Sequence, residues 1–414
     1  MQNSRNLLLQ SRYVPVAEGE HLKMDSVLPR VLIAEDAKVM RLKLKRFLEQ
    51  EMGVEVLVAE DGEQAWELFQ NNDIRFVISD WMMPGCDGPV LCQRIREVKD
   101  RPYTYFILVT SRSEKEDLLE GMASGADDYV TKPYDEAELQ SRVNAGFRVV
   151  HLEQTLAEKT AQIEAALYSA SQVQQRMLPD PQRLDDIKSR LGLEVVYRYV
   201  TSHTVGGDVL GMVEKPDHGV SLFLADVSGH GIAASLAAVS LQTYLFTLLR
   251  EVDDPLEIAH RTNLFCNKEL PEHIYATFVY LCLNPRLGFG RVLVAGHPPV
   301  LHLSADGSAR THVSRVPPMG LFEELPDDVD ADEFAMAPGE RFLVYTDGVV
   351  ETRNANGEFF DTDHLLGLYT GARNRPLREL PGLIVEKLGT WRGSETEADD
   401  DITLLAAGFN GIPQ

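Results

Sequence analysis

Ile78-Ser79-Asp80-Trp81-Met82-Met83-Pro84-Gly85-Cys86-Asp87-Gly88 places an aspartate where the apolar run from Phe76 to Ser79 breaks into a Pro- and Gly-containing turn. Working outward, similar short runs recur at Val31 to Ala34, Val54 to Ala59, Tyr105 to Val109 and Tyr129 to Val130. Amphipathic segments such as 38–50 and 62–71 separate them. This alternation predicts a doubly wound, five-stranded parallel α/β sheet with helices on both faces.

Such a sheet gathers chemistry at the carboxyl ends of its strands. Glu35 and Asp36 follow the first run, Asp80 the third, Thr110 and Ser111 the fourth, and Lys132 with Pro133 the fifth. Carboxylates brought together this way repel unless a divalent cation lies between them, and oxygen donors with retained water suit Mg²⁺. Glu35, Asp36 and Asp80 are therefore the expected ligands. A carboxylate beside Mg²⁺ and an ammonium can attack a phosphoryl donor and form an acyl phosphate. Asp80 is the expected nucleophile, Lys132 the expected phosphate partner, and Thr110 a hydroxyl able to reach a phosphoryl oxygen. Residues 30–148 resemble a receiver domain of the chemotaxis-regulator type. The resemblance rests on AED at 34–36, Asp80 followed by MMPGCDG, Thr110–Ser111, and ADDYVTKP at 126–133. It implies that a histidine kinase or phosphotransfer protein phosphorylates Asp80. It also implies that Tyr129 is a switch aromatic following Thr110, and that the Lys132–Pro133 peptide is cis.

From Val149 no Gly or Pro occurs until Pro179. Val149, Leu152, Leu156, Lys159, Ile163, Ala166, Ala170, Val173 and Met177 recur in steps of three and four, with Lys159 the polar interruption. That is a heptad seam of about four heptads. A parallel two-stranded coiled coil between two copies of the chain is expected, because a helix lying on its own domain shows a wider apolar stripe.

Beyond Pro181 strand-like runs at 193–200, 220–225, 276–283, 291–295, 341–346 and 402–407 mix with helical stretches near 231–250, 254–269 and 376–390. This is an α+β pattern. Four segments bring aspartates to strand ends: VGGD at 205–208, LADVSGHG at 224–231, YTDGVVE at 345–351 and ADDDIT at 398–403. Acids converging from distant segments suit Mg²⁺ or Mn²⁺, and two such ions can activate a hydroxide for in-line attack on a phosphoester. Asp208, Asp226, Asp347 and Asp400 are the expected ligands, joined by the Val227 carbonyl, with adjacent Asp401 an alternative to Asp400. His230 and His297 are general-acid candidates by location alone. No His or Cys cluster has zinc-ligand spacing.

These motifs resemble the type 2C metal-dependent (PPM) phosphatases, and more narrowly the bacterial sporulation stage II and stress-regulator phosphatases. QQRMLP at 174–179, VGGD, ADVSGHGIAASL at 225–236, AGHPP at 295–299, TDGVVE at 346–351 and DDIT at 400–403 match in order. The resemblance implies a β-sandwich flanked by helices. It also implies dephosphorylation of phosphoserine or phosphothreonine on a protein, commonly an anti-sigma-factor antagonist of the STAS fold. One departure is that the family's usual F-Y-D after VGGD is here Val209, Leu210 and Gly211.

The expected domains are an N-terminal extension at 1–28, a receiver at 29–148, a helical coiled-coil linker at 149–180 and a phosphatase at 181–414. A net charge of −24 argues against tracking nucleic acid. The four cysteines form no CxxC pair and imply a reduced, cytoplasmic setting without disulfides. No apolar run is read as a signal peptide or membrane span. The expected function is a response regulator whose phosphorylation controls a phosphatase. The alternatives are a catalytically weak adaptor that sequesters a sigma-factor regulator, and a DNA-binding regulator, which the acidic charge disfavours.

Overall fold

A computed structural model describes residues 30–99, 101–111, 121–217, 219–229, 231–393 and 400–413. The expected extension at 1–28 and His230 lie outside the described residues.

The chain divides into two compact units between Gln162 and Ile163. In the first, β1 (Val31–Ala34), β2 (Val56–Ala59), β3 (Phe76–Asp80), β4 (Tyr105–Thr110) and β5 (Asp128–Thr131) form a parallel sheet in the order β2-β1-β3-β4-β5. Helices Lys38–Glu51, Gly62–Asn71 and Gly88–Glu97 accompany them. Val31 and Ile33 pack with Leu44, Leu48, Val143 and Phe147, whereas Leu32 and Ala34 pack with Ala65, Phe69 and Leu91. Both faces are covered, which is why these strands are apolar throughout rather than alternating. Asp61 opens the second helix by accepting from the Gln64 amide. A single helix then runs from Glu136 to Arg176 through the division between the units.

The second unit contains β6 (Leu193–Val200), β7 (Asp208–Glu214), β8 (Val220–Val227), β9 (Ala276–Asn284), β10 (Phe289–Ala295), β11 (Val300–Leu303), β12 (Ala309–His312), β13 (Asp332–Ala335), β14 (Arg341–Tyr345) and β15 (Ile402–Phe409). They form two antiparallel sheets, ordered β13-β10-β9-β8-β7 and β12-β11-β14-β15-β6. The inner rows of both sheets share one core: Leu210, Met212, Leu222 and Leu224 from one, and Phe342, Val344, Leu405 and Ala407 from the other. The outer face of the first sheet packs on helices Ile232–Glu251 and Pro255–Glu269. Helices Asp361–Gly371 and Leu380–Arg392 cover the second. The result is the expected sandwich flanked by helices.

Several elements escaped sequence reading. Strand β7, DVLGMVE, carries an acid at each end and a glycine in its middle, all poor strand formers. Strands β11 to β13 are four residues each, and β12 is mostly exposed. One expectation needs correction. Helix Ile232–Glu251 is long and apolar enough to cross a bilayer by length and composition. Its Ala238, Leu241, Leu245 and Leu249 are instead buried in the core, so one face of its apolar surface is accounted for by packing on the sheet.

Candidate functional site

The first unit joins its expected residues at one sheet edge. Carboxylate oxygens of Glu35, Asp36 and Asp80 lie within 4.8 Å of one another. Lys132 Nζ donates to Glu35 Oε2 at 2.8 Å and pairs with Asp80 Oδ2 at 3.1 Å. Burial raises the Glu35 pKa, and the Asp80 charge adds to it against the opposing Lys132 contact. Burial alone would lower the Lys132 pKa, but its bonds to Glu35 and Asp80 outweigh that and raise it. The ammonium is therefore held charged at neutral pH. Thr110 is fully buried at the end of β4, and its carbonyl accepts from the Lys132 amide at 2.6 Å. Tyr129 stands opposite Leu108, one row from Thr110, with the Arg142 guanidinium 5.8 Å from its ring centroid. The Lys132–Pro133 peptide is cis. Sequence reading missed Arg41, which is buried and donates to the Glu35 carbonyl at 2.7 Å and the Asp36 carbonyl at 3.1 Å. Its place five and six residues beyond the acid pair, in the first turn of a helix, is the only signal of that role.

In the second unit the sites grow from strand register. Asp208 on β7 stands directly opposite Asp226 on β8, a pairing of like charges that destabilises a sheet unless something neutralises it. Both continue the inner apolar rows, as Thr346 continues Phe342 and Val344, and Thr403 continues Leu405 and Ala407. At this end of the sandwich the hydrocarbon core gives way to oxygen. Asp208 is 2% exposed, and burial followed by Asp226 holds its pKa well above the carboxylate range. Thr346 Oγ1 donates to Asp208 Oδ2 at 2.9 Å. Burial, then Asp347 and Asp400, pushes Asp226 up to about 7. Burial, then Asp400 and Glu351, pushes Asp347 up to about 6. Burial also raises Asp400. These mutual effects bring the four expected acids into one electrostatic cluster.

Close backbone approach gives the same picture. A Cβ on Gly207 would lie 2.9 Å from the Val227 carbonyl oxygen and 3.6 Å from Asp226 Oδ1, so glycine leaves both open. A Cβ on Gly348, next to Asp347, would lie 3.4 Å from the Asp400 Cβ. Asp400 and Asp401 differ sharply. Asp401 is 7% exposed and engaged: Oδ1 accepts from the Ser202 amide and hydroxyl, and Oδ2 from the Gly207 amide. Asp400 is exposed. Among the described residues, only the Glu35, Asp36 and Asp80 group has three ligand oxygens within 4.8 Å of one another. The second set is wider. Its donors are all oxygens, which fits hard divalent ions.

His297 is 4% exposed, burial pushes its pKa down to about 4, and its Nε2 finds no hydrogen-bond partner among the described residues. At neutral pH it is an uncharged imidazole whose Nδ1–H donates to the Pro298 carbonyl at 3.1 Å, so the geometry does not favour it as a general acid. Gln174, at the end of the long helix, makes a paired amide contact with Gly206: Nε2 to its carbonyl at 2.9 Å and Oε1 from its amide at 3.3 Å. The loop presenting Asp208 is thus tied to that helix.

These features define two modules: a parallel α/β sheet with a lysine-buttressed acid triad, and a double-sheet domain with carboxylates at its open end. Residues 31–144 match the model of the response regulator receiver domain, and residues 216–410 that of stage II sporulation protein E (SpoIIE). The transcriptional regulatory protein YrkP of Bacillus subtilis is 35% identical over 39% of this chain and 69% of its own length. Phosphoserine phosphatase RsbP of Bacillus subtilis is 26% identical over 57% of this chain and 56% of its own. The SiaA-PP2C domain of Pseudomonas aeruginosa shares the fold at a TM-score of 0.54 and 22% identity, over 61% of this chain and 99% of that one. The chain belongs to the response regulators, with a receiver domain followed by a SpoIIE/PP2C-type domain. It spans about half the length of most curated relatives it matches.

Proposed function

We propose that this chain is a metal-dependent protein serine/threonine phosphatase controlled by phosphorylation of Asp80. Residues 29–148 serve as receiver, 149–180 as helical linker and 181–414 as phosphatase. The observation that carries the reading is the Asp208–Asp226 pair, buried face to face with Asp347 and Asp400 raising its charge cost. A cluster this unfavourable suits divalent cations, and two of them are expected for in-line attack on a phosphoester. Asp208, Asp226, Asp347, Asp400 and the Val227 carbonyl would hold Mg²⁺ or Mn²⁺. Asp400 is preferred over Asp401 because the latter's oxygens are already committed to Ser202 and Gly207. When bound, such ions lower the pKa of coordinated water and supply the nucleophile for phosphoester hydrolysis. Thr346 holds Asp208 in one rotamer, and Gly207 keeps the Val227 carbonyl accessible.

In the receiver, Glu35, Asp36 and Asp80 would hold one Mg²⁺. Lys132 would orient the incoming phosphoryl group, with Thr110 and Tyr129 as the switch pair. A histidine kinase or phosphotransfer protein is the donor. The substrate we favour is a phosphoserine or phosphothreonine protein of the anti-sigma-factor-antagonist (STAS) type, giving partner switching in the cytoplasm. The heptad residues Leu152, Leu156, Ile163 and Val173 are 66%, 63%, 56% and 51% exposed, which supports a homodimeric coiled coil covering them. The helix Glu136–Arg176, through Gln174, would carry the receiver's state to the Asp208 loop, a coupling typically worth ~1–3 kcal/mol. The test is Mn²⁺-dependent hydrolysis of a phosphoserine protein by the purified chain, with and without a phosphoryl mimic at Asp80. Activity should vanish in Asp347→Asn. Hydrolysis that persists in that variant would remove the phosphatase reading, and equal rates with and without the mimic would remove the coupling.

A further inference from the structure

Strand register sets a third polar side chain beside the Asp208–Asp226 pair. On β9 the residues that face the inter-sheet core are Val279, Leu281 and Leu283. The next position of that row, two residues back, is Thr277. Thr277 pairs directly with Asp226, as Asp226 does with Asp208. Side chains opposite one another in an antiparallel pair share a face, with Cβ atoms about 4.5–5.5 Å apart. Asp208, Asp226 and Thr277 therefore form one polar row across three adjacent strands, where the inner face is otherwise hydrocarbon.

The hydroxyls of this sandwich are not equivalent. Thr346 Oγ1 donates to Asp208 Oδ2 at 2.9 Å. Further along the strands, the Ser221 and Tyr280 hydroxyls pair with each other at 3.2 Å. Thr277 Oγ1 is buried, yet it has no hydrogen-bond partner among the described residues. Asp226, its neighbour in the row, likewise receives no hydrogen bond among them. An unused hydroxyl and an unused carboxylate thus stand side by side.

Packing does not account for that hydroxyl. Valine, the residue two places on at Val279, fills the same row without a polar atom and is a strong strand former. A buried hydroxyl without a partner is unfavourable, and so is a carboxylate without a donor. Both costs are relieved by a divalent ion on Asp226 that keeps part of its water. A hydroxyl rotates to suit what it meets, so Thr277 Oγ1 can accept from such a water while its own O–H remains free to donate.

We infer that Thr277 is a positioning residue of the acid cluster, its hydroxyl bonding a water carried by the divalent ion that Asp226 holds. The inference rests on the metal-dependent phosphatase reading above and adds a residue to its ion site. Its test is calorimetric titration of Mn²⁺ into the full-length protein, with Asp80→Asn carried throughout to take a ligand from the receiver's ion site. Thr277→Val should weaken Mn²⁺ binding roughly ten- to a hundredfold, the usual loss when a group one step out from the metal is removed. Thr277→Ser should recover most of it. In EDTA the valine variant should unfold at the same urea concentration as its parent or a higher one, because the hydroxyl it loses has no partner there. Thr346→Val, which breaks the bond to Asp208, should unfold at a lower one. Mn²⁺ affinity equal in the parent and Thr277→Val, or no Mn²⁺ binding by the parent, would overturn the assignment. So would a Thr277→Val protein less stable than its parent in EDTA, which would mark an ordinary structural hydroxyl. Thr277-dependent Mn²⁺ binding by a protein that hydrolyses no phosphoserine substrate would leave the inference standing and sink the phosphatase reading alone.

Discussion

Asp226→Asn should make the metal-free protein more stable while abolishing its response to metal. Burial, then Asp347 and Asp400, holds the Asp226 pKa at about 7 against an ordinary 3.8. Between those values the folded protein binds more protons than the unfolded chain. Metal-free stability therefore falls as pH rises from about 4 to about 7, and is lowest above that window. At roughly 1.4 kcal/mol per pH unit, the rise from 3.8 to about 7 sets an upper bound near 4 kcal/mol. Sharing of protons with Asp208 across the strand pair reduces the gain to on the order of 2–3 kcal/mol. Urea unfolding at pH 8 in EDTA should show the variant more stable by that amount. Saturating Mn²⁺ should then close the gap, since an ion at a hundred times its Kd adds about 2.7 kcal/mol to the wild type and little to the variant. A variant less stable than wild type in EDTA, or equally stabilised by Mn²⁺, would refute the reasoning.

Four further outcomes follow from named contacts. His302 is fully buried, and burial, then Arg310 and His312, holds its pKa at about 3. A histidine kept neutral this way contributes stability above its ordinary pKa of 6.5 that is lost as pH falls below it. Replacing it by Gln should shrink the stability difference between pH 6.5 and pH 5 by about 2 kcal/mol in urea melts. Gln174→Ala removes both amide contacts to Gly206 and should cost about 1–3 kcal/mol while lowering Mn²⁺ affinity by calorimetry; unchanged affinity would detach the helix from the Asp208 loop. Asp80→Asn should take up no label from acetyl phosphate, and Lys132→Ala should cut uptake by an order of magnitude or more; labelling of Asp80→Asn at wild-type level would move the acceptor elsewhere. Leu156→Glu should turn a dimer into a monomer by light scattering, since a charge at a seam position is buried without a partner; an unchanged mass would exclude the linker as the interface.

The two halves of the chain differ in how far local pattern could reveal them. Strands β1, β3 and β4 are buried on both faces and so appear as unbroken apolar runs, with polar residues only at the ends where the chemistry sits. Both the fold and the acid triad of that half were legible for one reason: a parallel sheet exposes nothing else. Arg41 was not, because a buried arginine in a helix shows itself only through the carbonyls it reaches. In the second half the strands alternate between an inter-sheet core and a helix-covered face. A short edge strand such as β12, Ala309–His312, then has too few buried positions to stand out.

The choice between Asp400 and Asp401 marks where local reading ends. Two neighbouring aspartates are chemically identical in a sequence, and both precede the apolar run of β15. What separates them is a loop some two hundred residues away: the Ser202 and Gly207 amides occupy Asp401 and leave Asp400 facing Asp347. Asp401 thereby closes the same loop that Gln174 holds at the adjacent Gly206. The segment presenting Asp208 is therefore bonded both to the long helix, through Gln174, and to the residue that precedes β15, through Asp401.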